Sequence, residues 1–171
     1  GAAAPDASLR AADGATVRLR ETFAAKPTVL IFYRGSWCPY CSRHLAALAE
    51  IEPQLLALGY QILAVSPDTA EGLRKSAEKN KLNYRLLSDR EMLASAAFGL
   101  AFRVPEATAS SYTSKGVALA PITGGDGYWL PVPAVYLVGR DGVIRFAHTN
   151  PDIKVRLEAA DVLAAARAAA K

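Results

Sequence analysis

Sulfur and imidazole are scarce in this chain. Its 171 residues include two cysteines, one methionine and two histidines. Two cysteines cannot make a disulfide scaffold, and a chain of this length can hold a core without one. A structural zinc site built from two CxxC pairs is excluded, because only one pair exists. No run reaches the ~18 consecutive apolar residues of a transmembrane helix. Runs of Lys or Arg are also absent. The net charge of +4 is scattered, which fits a solvated surface and no nucleic-acid footprint. Internal repeats are lacking too. What remains, 51% hydrophobic and 21% charged residues, reads as one globular domain over 1–171.

The first residues, Gly1-Ala2-Ala3-Ala4-Pro5, have the Ala-rich, Pro-terminated character of sequence beside a signal-peptide cleavage point. They point to a periplasmic or otherwise exported protein, with a cytoplasmic one as the alternative. Leu9 to Leu19 alternates around Asp13-Gly14, a hairpin signal. Thr28 to Tyr33 is apolar, β-branched and aromatic throughout, as expected of a strand buried on both faces. From Pro39 to Leu58 the residues Leu45, Leu48, Ile51, Leu55 and Leu58 keep helical spacing. Pro53 interrupts that helix and Gly59 ends it. A strand follows at Tyr60–Val65, then a helix capped by Asp68 or Thr69 and running to about Asn80. Tyr84–Leu87 reads as a short strand, and Asp89 precedes a helix reaching Phe98. Gly99 to Pro131 reads as a long irregular loop, a length that tends to be functional. Ala134–Val138 is a strand, Arg140-Asp141-Gly142 a turn, and Val143–Ala147 its hairpin partner. The Ala-rich stretch from Val155 to Lys171 is a surface helix. Strands alternating with helices indicate an α/β domain: a central mixed sheet flanked by helices, with an N-terminal β-hairpin.

The chemistry concentrates in Trp37-Cys38-Pro39-Tyr40-Cys41. Two cysteines three apart at a strand-to-helix junction place the first sulfur at the helix N-terminus. Unpaired N–H groups and the helix dipole favour a thiolate there. The second sulfur sits one turn on, within reach of a disulfide. Pro39 falls in the first turn, where its missing N–H costs little. Arg34, Arg43 and His44 add positive charge. Cys38, Cys41 and His44 could also supply three metal ligands. His148 is the only other histidine and reads as a strand residue. Trp37 forms an apolar rim, and Tyr40 either shares it or packs on the sheet edge. Tyr112, Lys115, Gly124, Gly125 and Trp129 either shape a substrate groove or merely cover the core.

The stretch Phe32-Tyr33-Arg34-Gly35-Ser36-Trp37-Cys38-Pro39-Tyr40-Cys41 resembles the FYRGxWCPYC signature of the AhpC/TSA peroxiredoxin-like branch of the thioredoxin-fold superfamily. Ala101-Phe102-Arg103-Val104-Pro105-Glu106, Leu130-Pro131-Val132-Pro133-Ala134 and Asn150-Pro151-Asp152 are similar to further family elements. The resemblance implies a thioredoxin-like fold. It also implies a cis Pro133 facing the CxxC, with the backbone of Val132 offering hydrogen bonds to a bound peptide or thiol. Three positions depart from the peroxidase pattern. When the motif cysteine is set on Cys41, Arg34 stands at the motif proline, Cys38 at the motif threonine, and Pro133 at the distant arginine. The buried aspartate of thioredoxins corresponds to Phe32, which moves no proton.

The leading expectation is a thiol–disulfide oxidoreductase with a redox-active centre and an antioxidant role. Cys38 attacks, Cys41 resolves, and Arg34, Trp37, Pro39, Tyr40, Val132 and Pro133 meet the substrate. That substrate is a protein or small-molecule disulfide, or a peroxide, and an external thiol or dithiol restores the pair. No organic or metal cofactor is required. The alternative is a thiol-dependent peroxidase with Cys41 peroxidatic and Cys38 resolving. A third reading is a copper or zinc carrier using Cys38, Cys41 and His44.

Overall fold

The computed structural model describes residues 1–117, 119 and 127–171. Seven strands form one mixed sheet. In chain order they are β1 (Ser8–Ala11), β2 (Thr16–Arg18), β3 (Thr28–Phe32), β4 (Gln61–Ser66), β5 (Arg85–Ser88), β8 (Ala134–Val138) and β9 (Ile144–Thr149). Their spatial order is β2-β1-β5-β4-β3-β8-β9. β3, β4 and β5 run parallel, joined by crossovers that contain α2 (Pro39–Ala57) and α3 (Ala70–Lys79). The terminal strands β8 and β9 add antiparallel, and the hairpin β1–β2 closes the other edge.

Period-2 alternation sorts the central strand between two cores. Val29, Ile31 and Tyr33 face α2 and α6 (Ala159–Ala169), together with Cys38, Cys41, Leu45, Leu48, Val162 and Ala166. Leu30 and Phe32 face the opposite side. There they meet Phe23 of α1 (Leu19–Ala25) and Ala94 of α4 (Leu93–Ala97). Phe32 packs on Phe98 and Tyr136 at centroid distances of 5.1 and 6.2 Å. It therefore points away from the sulfurs, and Tyr33 is the strand residue on their face. This corrects the equation of Phe32 with a residue beside the cysteines.

The expected α2 is present, with Pro53 inside it. Thr69 Oγ1 caps α3 by accepting from Gly72 N. Asp89 fixes α4: its carboxylate accepts from Ala94 N, Ser95 N and Ser95 Oγ at 3.1, 2.8 and 2.7 Å. The stretch 99–131 is not irregular throughout. It holds β6 (Ala101–Arg103), α5 (Glu106–Ser114) and β7 (Trp129–Pro131). β6 and β7 pair antiparallel as a separate ribbon. Short strands and a Ser/Thr-rich helix carry little periodicity, so neither shows in sequence. Gly124 and Gly125 lie outside the described residues. Among the described residues no helix is long and apolar enough to cross a membrane.

Candidate active site

Tyr33 ends the apolar run after β3, and the chain turns sharply before α2. Cys38 N donates to Gly35 O (3.2 Å), closing the turn. Ser36 N donates to Asp68 Oδ2 (2.8 Å), which pins the loop to the end of β4. Gly35 adopts φ +155°, and a Cβ there would meet Trp37 Nε1 at 2.4 Å. The glycine is required because the indole lies against its backbone.

Cys38 is the N-cap of α2, and its sulfur accepts from Cys41 N at 3.4 Å. The two sulfurs lie 2.6 Å apart and are almost fully buried, 1% exposed for Cys38 and 0% for Cys41. Both are free thiols. Two guanidiniums flank them. Arg34 Nη1 is 4.0 Å from Cys38 Sγ. Arg156 Nη2 is 3.2 Å from Cys41 Sγ and 4.0 Å from Cys38 Sγ. Hydrogen bonds from the Cys41 thiol and backbone, with both arginines, lower the Cys38 pKa to about 6 against the burial that opposes them. Burial and the neighbouring Cys38 charge hold Cys41 well above the usual thiol range. The pair is thus a thiolate at 38 hydrogen-bonded by a thiol at 41, a poise suited to nucleophilic attack and resolution.

Arg34 is only 5% exposed. Its guanidinium lies 4.9 Å from the Trp37 ring centroid and 5.3 Å from that of Tyr112, and Nη2 donates to Tyr112 Oη. Trp37 and Tyr112 also pack on one another, centroids 5.3 Å apart. The loop after β3 and helix α5 thereby join beside Cys38. A cleft of about 340 Å³ opens beside this junction, lined by Arg34, Trp37, Asp68, Arg90, Trp129 and Leu130 among others. Burial raises the Asp68 pKa above the usual carboxylate range. Arg34 Nε has no hydrogen-bond partner among the described residues.

The structure therefore brings Arg34, Trp37, Cys38 and Cys41 together. Pro39 is exposed at the first helical position, and Tyr40 borders a second, separate cleft beside the first turns of the helix. Pro133 lies next to Tyr33, one step beyond the paired Phe32 and Ala134. No described peptide bond is cis, so the expected cis Pro133 is corrected to trans. Val132 N–H donates to Leu100 O at 2.8 Å. Of the two backbone groups of Val132, the N–H is thereby engaged within the chain. His44 is buried and neutral, its pKa lowered to about 4 by desolvation. Its Nε2–H donates to Leu157 O at 2.9 Å, so the ring is spent on fixing the segment before α6. Among the described residues no group of three metal-binding side chains converges.

Arg156 is the residue that sequence reading missed. It lies 115 positions beyond Cys41 and is held by its own Nε–H bond to Ile153 O (2.8 Å). The only local signal was its nearness to Asn150-Pro151-Asp152. It supplies a guanidinium to a site whose family-pattern arginine position is Pro133.

The AhpC/TSA family model matches residues 1–147. This chain belongs to the AhpC/TSA family. Peroxiredoxin Bcp of Escherichia coli K12 is 33% identical over 97 residues, covering 57% of this AhpC/TSA chain and 62% of that protein. Peroxiredoxin bcp1 of Schizosaccharomyces pombe is 32% identical over 85 residues, or 50% and 44% of the two chains. The AhpC/TSA chain thus spans roughly half the length of the curated relatives it matches. Among solved structures, reduced Prx3 of Vibrio vulnificus in complex with H2O2 superposes with TM-score 0.78 at 22% identity, covering 97% of each chain. Peroxidoxin BcpB of Mycobacterium tuberculosis gives 0.76 at 20% identity, covering 98% and 96%. These likenesses establish the fold as that of the thioredoxin-like peroxiredoxins.

Proposed function

We propose that this AhpC/TSA protein is a thiol-dependent peroxidase that cycles through a Cys38–Cys41 disulfide. The observation that carries the reading is the buried sulfur pair, 2.6 Å apart, held between the Arg34 and Arg156 guanidiniums. The peroxiredoxin names of its matched relatives support peroxide as the oxidant.

Cys38 thiolate attacks one peroxide oxygen. An S–O bond forms, the O–O bond breaks, and the alcohol or water leaves with the electron pair and takes up a proton. Arg34 offers its N–H groups to the oxygens from the cleft side, where a preorganised cation counts most against developing negative charge. The sulfenic acid at Cys38 is then attacked by Cys41, a disulfide forms, and water leaves. Two equivalents of external thiol return the pair to the dithiol. Trp37 and Tyr112 keep bulk water from the intermediate.

A second assignment exchanges the roles, with Cys41 attacking and Cys38 resolving. It is favoured by Arg156 standing closer to Cys41 than to Cys38 and by the register of the family motif. Sulfenic-acid trapping with dimedone separates the two. The expected result is an adduct at Cys38 in Cys41→Ser and none at Cys41 in Cys38→Ser. The peroxidase reading is overturned if hydrogen peroxide and alkyl hydroperoxides leave both thiols titratable while the protein reduces insulin disulfides. That outcome would restore disulfide exchange as the main activity.

A further inference from the structure

The two sides of the sulfur pair differ. The 340 Å³ cleft is bordered by Arg34 and Trp37, and Arg34 Nη1 lies 4.0 Å from Cys38 Sγ. A separate cleft of about 180 Å³ lies across the start of α2, lined by Tyr40, Arg43, Lys154, Arg156, Leu157 and Glu158 among others. Three of these side chains are cations and one is an anion. His44, which also borders the cleft, contributes no charge near neutrality, since its pKa is lowered to about 4. The volume is below the ~300–1,000 Å³ of pockets that bury a drug-sized molecule, so it suits a small ligand or one end of a larger one. Arg43 lies over the Tyr40 ring, 6.0 Å from its centroid, which sets one wall. Arg156 forms another wall and places the same guanidinium 3.2 Å from Cys41 Sγ.

We infer that this cleft is the binding site for the reducing substrate, a small thiol bearing carboxylate groups. The inference rests on the disulfide cycle proposed above and names its reductant class. The bound thiolate attacks the Cys41 sulfur of the Cys38–Cys41 disulfide. A bond forms between the two sulfurs, the intramolecular disulfide breaks, and its electron pair departs on Cys38 as thiolate. A second thiol attacks the sulfur of the first, releasing the oxidised small disulfide, and Cys41 takes up a proton. Two thiols are oxidised and one protein disulfide is reduced. It is Cys41 that this cleft's guanidinium touches, and its positive charge draws the incoming thiolate to that sulfur. Oxidant and reductant enter through separate clefts that share no lining residue.

The test isolates the reductive half-reaction. Disulfide is made with diamide in the wild type and in Arg43→Glu/Lys154→Glu, two exposed positions. Its reduction is followed with mercaptosuccinate, neutral 2-mercaptoethanol and cationic cysteamine. Each thiol is compared with itself across the two proteins, so intrinsic thiol reactivity cancels. The double variant should lose about tenfold or more in the second-order rate with mercaptosuccinate, stay within about twofold with 2-mercaptoethanol, and gain with cysteamine. Raising ionic strength should shrink the mercaptosuccinate difference. An unchanged mercaptosuccinate rate overturns the inference, as does an equal loss for all three thiols. Failure of diamide to link the cysteines also overturns it. Peroxide oxidation of the wild type is measured separately. Its failure alone would sink the peroxidase reading and leave the reductant test standing.

Discussion

Replacing Arg156 by Met removes one of two cations from the sulfur pair and keeps an unbranched side chain of similar reach. The Arg156 charge lies 4.0 Å from Cys38 Sγ. A unit charge at about 4 Å is worth roughly 1 kcal/mol in water and roughly 4 kcal/mol at an effective dielectric of about 20. With about 1.4 kcal/mol per pKa unit, these limits span about 0.7 to 3 units. Arg156 is half-buried, so its effect falls between them. Arg156 is the weakest of the groups that lower the Cys38 pKa to about 6, so the thiolate should then titrate roughly 0.7–1 unit higher. Absorbance at 240 nm followed from pH 4 to 10 reads this directly, with Cys38→Ser/Cys41→Ser subtracted for tyrosine. Arg156→Lys, which keeps the charge and loses the planar fork, should move the midpoint by less. The reasoning is refuted if Arg156→Met titrates within about 0.3 unit of the native protein. A native midpoint near 9 would refute the ionised pair itself.

Two further outcomes concern stability. The folded Cys38 pKa of about 6 lies below the ordinary thiol value of 9.0. Between these values the unfolded state binds more protons, so this sulfur's stabilisation is fully present above about 9 and disappears as pH falls through about 6. Reduced wild type should therefore gain stability relative to Cys38→Ser on going from pH 6 to 9 in urea melts, and a flat difference would contradict the assignment. Asp89→Ala should lower stability by about 2 kcal/mol, because two backbone N–H groups and the Ser95 hydroxyl lose a buried carboxylate acceptor. The readout is the urea midpoint at unchanged slope.

Much of this architecture was legible because its signals are local. The buried β3 run, the leucine spacing of α2, the Asp13-Gly14 turn and the CxxC at a helix start each depend on a few adjacent residues. What escaped depends on distance. Arg156 reaches the sulfurs only because α6 packs on α2 and His44 ties Leu157 in place. Nothing between positions 41 and 156 announces that. Phe32 was set beside the cysteines by its correspondence with the thioredoxin aspartate alone, and the packing of Phe32 on Phe98 and Tyr136 puts it on the other face. The 99–131 stretch looked shapeless because β6 and β7 are stabilised by each other across it, and α5 is rich in weak helix formers. The cis geometry carried over to Pro133 came from resemblance alone.

Position 35 ties backbone to ring. Since the indole of Trp37 occupies the volume any side chain at 35 would need, and that indole in turn rests against Arg34 and Tyr112, even a single added methyl would be felt three residues away at the nucleophile. Stiffening this hinge by the usual glycine-to-alanine exchange is consequently closed to an engineer. Any gain in robustness must be sought elsewhere in the molecule.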